Sequence, residues 1–157
     1  LACLRSLVRR GTEATALRVL LTDMAHANRR PRIVLGDFND VADSVTTEIV
    51  LGEGTPVGER MFDASQVQRR LDHQRHVGFS ILHDTRHSTI DHILVSPEFN
   101  PALPEAIGEV VDVVYLNDHL NLRLPEASDH GQVLARIRLF RQGGELDAAL
   151  GQPGTGT

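Results

Sequence analysis

The sequence has few of the residue types on which several functional classes depend. It has no tryptophan, and aromatic residues make up only 4% of the chain, which argues against a nucleic-acid surface built on stacked rings. A single cysteine, Cys3, excludes an internal disulfide. Lysine is absent and the net charge is −5, so bulk positive charge does not hold this chain on nucleic acid, although a local arginine patch stays open. No apolar run reaches the roughly 18 residues of a membrane-spanning helix, and no membrane span is predicted.

What is present fits one globular domain of 157 residues, with a hydrophobic fraction of 41% that can form a core. This pattern extends over residues 1–141. The glycine-rich stretch "QGGELDAALGQPGTGT" then predicts a flexible tail over residues 142–157. The chain opens on "LACLRSLVRR", without an initiating methionine, and we interpret it as a piece of a longer protein. Its localisation therefore stays open.

Hydrophobic periodicity predicts two helices followed mainly by strands. The first helix covers residues 12–29, with Thr12 as its N-cap and an apolar stripe of Leu17, Leu20, Leu21 and Met24. A second helix is expected from Asp43 or Ser44 to Leu51, closed by Gly52. Strands are expected near residues 32–35, 77–81, 90–95, 107–115 and 133–140. This order indicates an α/β fold with a sheet of mixed direction and flanking helices.

The motif "GDFND", residues 36–40, places two acids and an amide directly after an apolar strand. If the extended conformation persists, Asp37 and Asn39 share one face while Phe38 anchors the other in the core. Carboxylate and amide oxygens are hard donors that suit Mg²⁺, Mn²⁺ or Ca²⁺. The alternative is a helix-capping loop, because aspartate and asparagine are common turn formers.

Two further motifs place acids and histidines at strand ends. "TIDHILVS" carries Asp91 near the start of an apolar strand, where a buried carboxylate needs a partner. "SDHGQV" carries Asp129 and His130 just before the last strand. If His130 is the partner of Asp91, the carboxylate fixes the tautomer of the ring and favours the imidazolium, which can bind a phosphate oxygen.

Other Asp-His pairs in the chain have simpler interpretations. His92 is expected on the opposite face of its strand from Asp91, as a packed core histidine. The pair Asp118–His119 stands in the polar stretch "NDHLNLRLPEA", which indicates a surface loop, or a segment close to a substrate.

Taken in this order, "GDFND", "TIDHILVS" and "SDHGQV" resemble the endonuclease/exonuclease/phosphatase superfamily, which has the DNase-I-like fold. The resemblance covers roughly residues 31–139. It implies the C-terminal half of a four-layer α/β sandwich, with a mixed β-sheet and flanking helices. The N-terminal part of the same domain is then missing from this chain. It also implies hydrolysis of phosphoester bonds with Mg²⁺, for which Mn²⁺ or Ca²⁺ are alternatives.

The resemblance assigns a role to each matching residue. Asp37 orients or deprotonates the attacking water and contributes to the metal site, and Asn39 holds a phosphate oxygen. Asp91 pairs with His130, which binds the scissile phosphate, and Asp129 is a metal ligand. The family also carries a metal-binding glutamate for which this chain offers no candidate, so the chain alone is predicted to be almost inactive.

The substrate class is less defined than the chemistry. The leading interpretation is an endonuclease or exonuclease that hydrolyses phosphodiester bonds, with nucleic acid as the partner. A phosphatase or a sphingomyelinase-like phosphoesterase of the same fold is the first alternative. A non-catalytic binding module is an alternative from another class.

Overall fold

The computed structural model of the chain describes residues 2–28, 30–69, 78–83, 85–122 and 126–140. The predicted flexible tail, residues 142–157, lies outside this part of the chain. The helices are α1 (Ala2–Asn28), α2 (Val45–Leu51), α3 (Ala64–Val67) and α4 (Asp118–Leu122). The strands are β1 (Ile33–Asp37), β2 (Phe62–Asp63), β3 (Ile81–His83), β4 (Arg86–Ser88), β5 (Asp91–Val95), β6 (Gly108–Leu116) and β7 (Gln132–Leu139).

Helix α1 is longer than predicted and turns a different face to the core. Thr12 does not cap it, because its hydroxyl donates to the Val8 carbonyl one turn earlier and the helix continues through this point. The buried side chains are Ala14, Leu21 and Ala25, which recur every three to four residues once the half-buried Leu17 is included. The predicted stripe was therefore wrong in part. Two of its members, Leu20 and Met24, lie beside this face and are 54% and 41% exposed.

Helix α2 begins and ends as its sequence predicts. The Ser44 hydroxyl accepts the backbone N–H of Thr47, and Gly52 adopts a left-handed conformation with φ 72° that closes the helix. The guanidinium of Arg18 donates to the Val50 carbonyl at 3.0 Å and so joins α1 to the end of α2. Among the described residues, none of the helices combines the length and apolar character needed to cross a membrane.

The strands form the three-stranded sheet β1-β5-β2, the hairpin β3–β4 and the pair β6–β7. Every pairing within the described ranges is antiparallel, rather than of mixed direction as predicted. The reason is the position of β5. Strands β1 and β2 run in the same direction, but β5 lies between them and pairs with both.

Two apolar clusters stack these elements in layers. On one face of the three-stranded sheet, Leu94 packs with Leu21 of α1 and Val50 of α2. On the other face, Val95 packs with Val110 and Val113 of β6. The described residues thus supply three of the four predicted layers, in the order helices, sheet, sheet, and the predicted α/β class is confirmed.

Strand β1 leaves apolar surface uncovered. Its register places Ile33 opposite Val95 and Leu35 opposite Ile93, on the face that elsewhere packs against β6–β7. Yet Ile33 is 45% exposed and Leu35 is 70% exposed. Within the described part of the chain β1 pairs only with β5, so its second edge is open. A cavity of about 240 Å³ lies beside this strand, between α1, β1 and α2. The open edge of β1 exposes backbone groups with which another strand can pair.

We predict that Leu35 and Leu94 respond differently to the same substitution. Leu94→Ala should lower the free energy of unfolding by about 2–5 kcal/mol, because it opens a hole in a fully buried cluster. Leu35→Ala should cost less than about 1 kcal/mol and reduce aggregation, because it removes exposed apolar surface. Urea unfolding and light scattering measure the two effects. Equal losses of stability would show that Leu35 is buried in solution.

Candidate active site

The site begins at the end of the β1–β5 ladder, where Asp37 stands directly opposite Asp91. The backbone N–H of Phe38 then donates to the Ile90 carbonyl at 2.8 Å and closes the ladder behind this pair. Like charges directly opposite one another on a sheet are destabilising. The antiparallel register therefore holds two carboxylates together at a cost, which a nearby cation can offset.

His130 lies against these two acids. Its Nδ1 is 2.8 Å from Oδ2 of Asp91, and both side chains are partly exposed. The ligand atoms of Asp37, Asp91 and His130 all lie within 4.8 Å of one another. The hydrogen bond that Asp91 accepts from the ring raises the pKa of His130, as do the surrounding carboxylate charges, and together they outweigh the opposing effect of burial. The predicted contact between Asp91 and His130 is thus present, while the catalytic roles of the residues remain predictions.

Asn39 reaches the site by a turn and not by an extended strand. Its φ of 53° is left-handed, so the expectation of alternating faces beyond Asp37 was wrong. The Asp37 carboxylate causes this turn by accepting the Asn39 backbone N–H at 2.7 Å and its side-chain amide at 3.0 Å. The amide therefore still lies beside the carboxylate. Phe38 packs against the helical core, as predicted.

Asp129 lies at the border of the site. It is exposed, and its charge contributes to the raised pKa of its neighbour His130. It is not one of the three residues whose ligand atoms gather within 4.8 Å. Its role as a metal ligand stays a prediction, and among the described residues Asp91 is the acid that joins Asp37 in this group.

His92 is a packed core histidine, as predicted, but it has polar partners that the sequence did not reveal. Its Nε2 is 2.9 Å from the carbonyl of Asp40, and its Nδ1 is 3.2 Å from Oδ2 of Asp63. Because both partners are acceptors, the doubly protonated ring satisfies both contacts. Burial lowers the pKa of His92, but these hydrogen bonds and the nearby carboxylate charges outweigh it and raise the pKa overall. The ring thereby holds the turn that carries Asn39 against β2.

His119 lies in a helix, so the surface-loop interpretation of this stretch was wrong. Asp118 stands in the first turn of α4, where a carboxylate interacts favourably with the helix dipole. The His119 Nε2 lies 3.0 Å from the His130 carbonyl, to which it can donate. This contact holds the ring against the backbone of His130. The alternative interpretation, that the segment lies close to a substrate, stays a prediction.

The donor set suits a hard cation. Asp91 engages Nδ1 of His130, so the described cluster offers the carboxylate oxygens and the second ring nitrogen, Nε2. Two carboxylates fit Mg²⁺, which keeps several of its waters in protein sites. No glutamate belongs to the cluster in the described part of the chain.

Solved structures share this fold. A mannosyl-6-phosphatase of Bacteroides thetaiotaomicron matches with a TM-score of 0.55 and 21% identity, over 83% of this chain and 46% of its own. Endonuclease/exonuclease/phosphatase proteins of Bacteroides vulgatus and Bacteroides thetaiotaomicron match with TM-scores of 0.55 and 0.52 and identities of 22% and 20%. These two cover 79% and 85% of this chain and 42% and 46% of their own chains.

No protein-family model and no curated protein matches the sequence significantly. The structural matches establish the DNase-I-like fold that the motifs predicted. The chain spans less than half the length of each of these structures.

We predict that Asp91→Asn lowers the pKa of His130 because it removes the charge and the strongest hydrogen bond on Nδ1. NMR titration of the ring protons measures this change. Asp129→Asn is the matched control: it removes a neighbouring charge without a hydrogen bond to the ring, and should lower the pKa by less. The pairing is refuted if the two variants lower it equally.

The pair of His92 and Asp63 should make stability depend on pH. The folded pKa of His92 is raised, so its contribution is complete below its unfolded pKa of about 6.5 and is lost as pH rises through the folded value. The folded pKa of Asp63 is lowered, despite burial, by its bonds to His92 and Ser65, so its contribution is lost as pH falls through that value. The pair therefore stabilises most between these limits.

Urea unfolding of His92→Gln tests this dependence. The variant should lose about 1–3 kcal/mol near pH 6, because a buried carboxylate loses its partner, and less near pH 9. His26→Gln is the control, since His26 also contacts an acid, Glu59, but its side chain is 65% exposed and the pair should contribute little. A loss for His92→Gln that is constant with pH would contradict the charged pair.

Proposed function

We propose that this chain is part of a metal-dependent phosphoester hydrolase. The observation that carries the proposal is the convergence of Asp37, Asp91 and His130, which come from three strand ends far apart in sequence. The turn at Asn39 adds an amide to the same corner. A cluster of acids that repel one another, held in place by the register of a sheet, is typical of a functional site and not of a stability device. The shared fold supports this interpretation.

The residues of this chain have distinct tasks in the proposed reaction. Asp37 orients an attacking water and takes its proton, and the Asn39 amide donates to a phosphate oxygen. Asp91 holds Nδ1–H of His130, which leaves Nε2 as the ring nitrogen that donates to the phosphate. A bound divalent cation, Mg²⁺ by the chemistry of the donors and with Mn²⁺ or Ca²⁺ as alternatives, would stabilise charge on the phosphoryl oxygens.

The proposed enzyme also needs a partner segment, the N-terminal half of the same domain. The open edge of β1, with Leu35 exposed on the face that packs against the second sheet, is where a further strand would pair. The glutamate absent from the described cluster would come from this segment. The share of 42–46% that the chain covers in the matched structures is consistent with this division.

Two substrate classes have separate support. The sequence motifs, by their resemblance to endonuclease-like members of the superfamily, favour a nuclease that acts on phosphodiester bonds of nucleic acid. The name of one structural neighbour, a mannosyl-6-phosphatase, favours a phosphomonoester instead. The net charge of −5 also fits a small substrate better than a polyanion. A binding module without catalysis is the remaining alternative.

We predict that a protein containing this chain and the preceding half of the domain hydrolyses phosphoesters only with a divalent cation, and that residues 1–157 alone hydrolyse them very poorly. EDTA should abolish the activity. Asp37→Ala and His130→Ala should each reduce turnover by about 10²-fold or more, since each removes a proton-transfer or phosphate-binding group. Plasmid DNA, bis-p-nitrophenyl phosphate and a sugar phosphate, assayed side by side, separate nuclease from phosphatase.

The control for this assay is Asp43→Ala, an exposed acid in the loop before α2 that is outside the cluster. It should keep full turnover. Robust cleavage by residues 1–157 would show that the partner segment is not required. Activity that survives both EDTA and His130→Ala would refute the chemistry, and no activity on any ester would favour the binding module.

A further inference from the structure

Ser80 is a fully buried serine next to the proposed site, with a relative exposure of 0%. Its Oγ accepts the backbone N–H of Ile90 at 3.0 Å and that of Asp91 at 3.1 Å. A hydroxyl oxygen has two lone pairs, so these two bonds use its full acceptor capacity. The side chain of Ser80 therefore fixes the backbone at the residue that supplies the site carboxylate.

The backbone of Ser80 reaches the other half of the same ion pair. Its carbonyl accepts the N–H of Gly131 at 2.7 Å, and the next residue, Ile81, forms an isolated antiparallel bridge with His130. Its own N–H donates to the Ser88 carbonyl at 2.9 Å, which closes the β3–β4 hairpin behind it. Ser80 thus bonds both to the start of β5, which carries Asp91, and to the segment just before β7, which carries His130.

These contacts matter because Asp91 and His130 are 39 residues apart in sequence, Asp91 at the first position of β5 and His130 two residues before β7. Asp91 is the first residue of β5 and is paired with Asp37, with one further bond from the Phe38 N–H to the Ile90 carbonyl, while β7 begins two residues after His130. None of these bonds joins the segment of Asp91 to that of His130, and the contacts of Ser80 do. Ser80 does not touch the clustered oxygens itself in any of the contacts described.

We propose that Ser80 is a positioning residue that sets the distance between Asp91 and His130, and thereby the proton position on the ring nitrogen that faces the carboxylate. The purpose of this positioning rests on the proposed function, but the contacts of Ser80 do not depend on the reaction. Without the hydroxyl, two buried N–H groups lose their acceptor and the start of β5 is free to shift relative to Gly131.

The test compares Ser80→Ala with Ser96→Ala in the full chain. Ser96 is an exact counterpart in burial: it is also 0% exposed, and its Oγ accepts the N–H of Arg32 at 2.9 Å at the opposite end of β5. NMR measures two quantities: the rate of amide hydrogen exchange, and the rate at which the low-field Nδ1 proton of His130 exchanges with water. In Ser80→Ala, exchange at Ile90 and Asp91 should rise about tenfold or more, and the Nδ1 proton should exchange with water at least about tenfold faster.

In Ser96→Ala the faster amide should instead be that of Arg32, and the Nδ1 proton of His130 should stay as in the unchanged chain. The proposal is overturned if Ser80→Ala leaves the Nδ1 proton unchanged, or if Ser96→Ala affects it equally, because the effect would then be general loosening. If Ser80→Ala does not fold, Ser80→Cys, which keeps the side-chain shape but accepts weakly, is measured against the same two criteria. Failure of the hydrolase assay with these NMR changes present would refute the function and leave the positioning role intact.

Discussion

The pairing of Asp37 with Asp91 is the constraint on which the rest of the site depends. Antiparallel registry places these like charges face to face, and the apolar clusters on both sides of the sheet prevent the register from slipping to relieve them. The repulsion is offset locally by the imidazole of His130, which the start of β7 brings to Asp91. Core packing therefore stabilises an arrangement of charge that would not form by itself, and the site inherits its geometry from the sheet.

Much of this arrangement could be predicted from local sequence. The α/β class, the limits of α2 and the strands β1, β5, β6 and β7 follow from caps and periodicity. The strand expected near residues 77–81 begins only at Ile81, and β2 and β4 were not predicted. The cost of leaving an acid unpaired in a core strand predicts that Asp91 has a partner, and the family resemblance identifies that partner as His130. The limits of local reasoning appear in α1, where the apolar pattern of Leu17, Leu20, Leu21 and Met24 cannot indicate which side meets the sheet. Only the packing of Leu21 against Val50 and Leu94 decides it, and leaves Leu20 outside.

The contacts that hold the site in place were the least predictable, because each joins residues distant in sequence. Asp63 is 29 residues from His92, and the Asp40 carbonyl is 52 residues from it. The hydroxyl of Ser80 has no motif around it except its position in an apolar stretch. Sheet direction is a similar case: β1 and β2 run in the same direction, and β5 comes from later in the chain and lies between them, antiparallel to both. Such information is in the tertiary contacts and not in any window of sequence.

The left-handed turn at Asn39 narrows which residues this position can hold. Only glycine, asparagine and aspartate adopt such a conformation readily. Glycine would remove the amide that contacts Asp37, and aspartate would add a third carboxylate where two already repel one another. The backbone conformation thus favours glycine, asparagine and aspartate, and of these three residues asparagine alone supplies an amide without adding a charge. An alanine substitution here would combine main-chain strain with loss of a donor, so loss of activity in that variant would not by itself measure what the amide contributes.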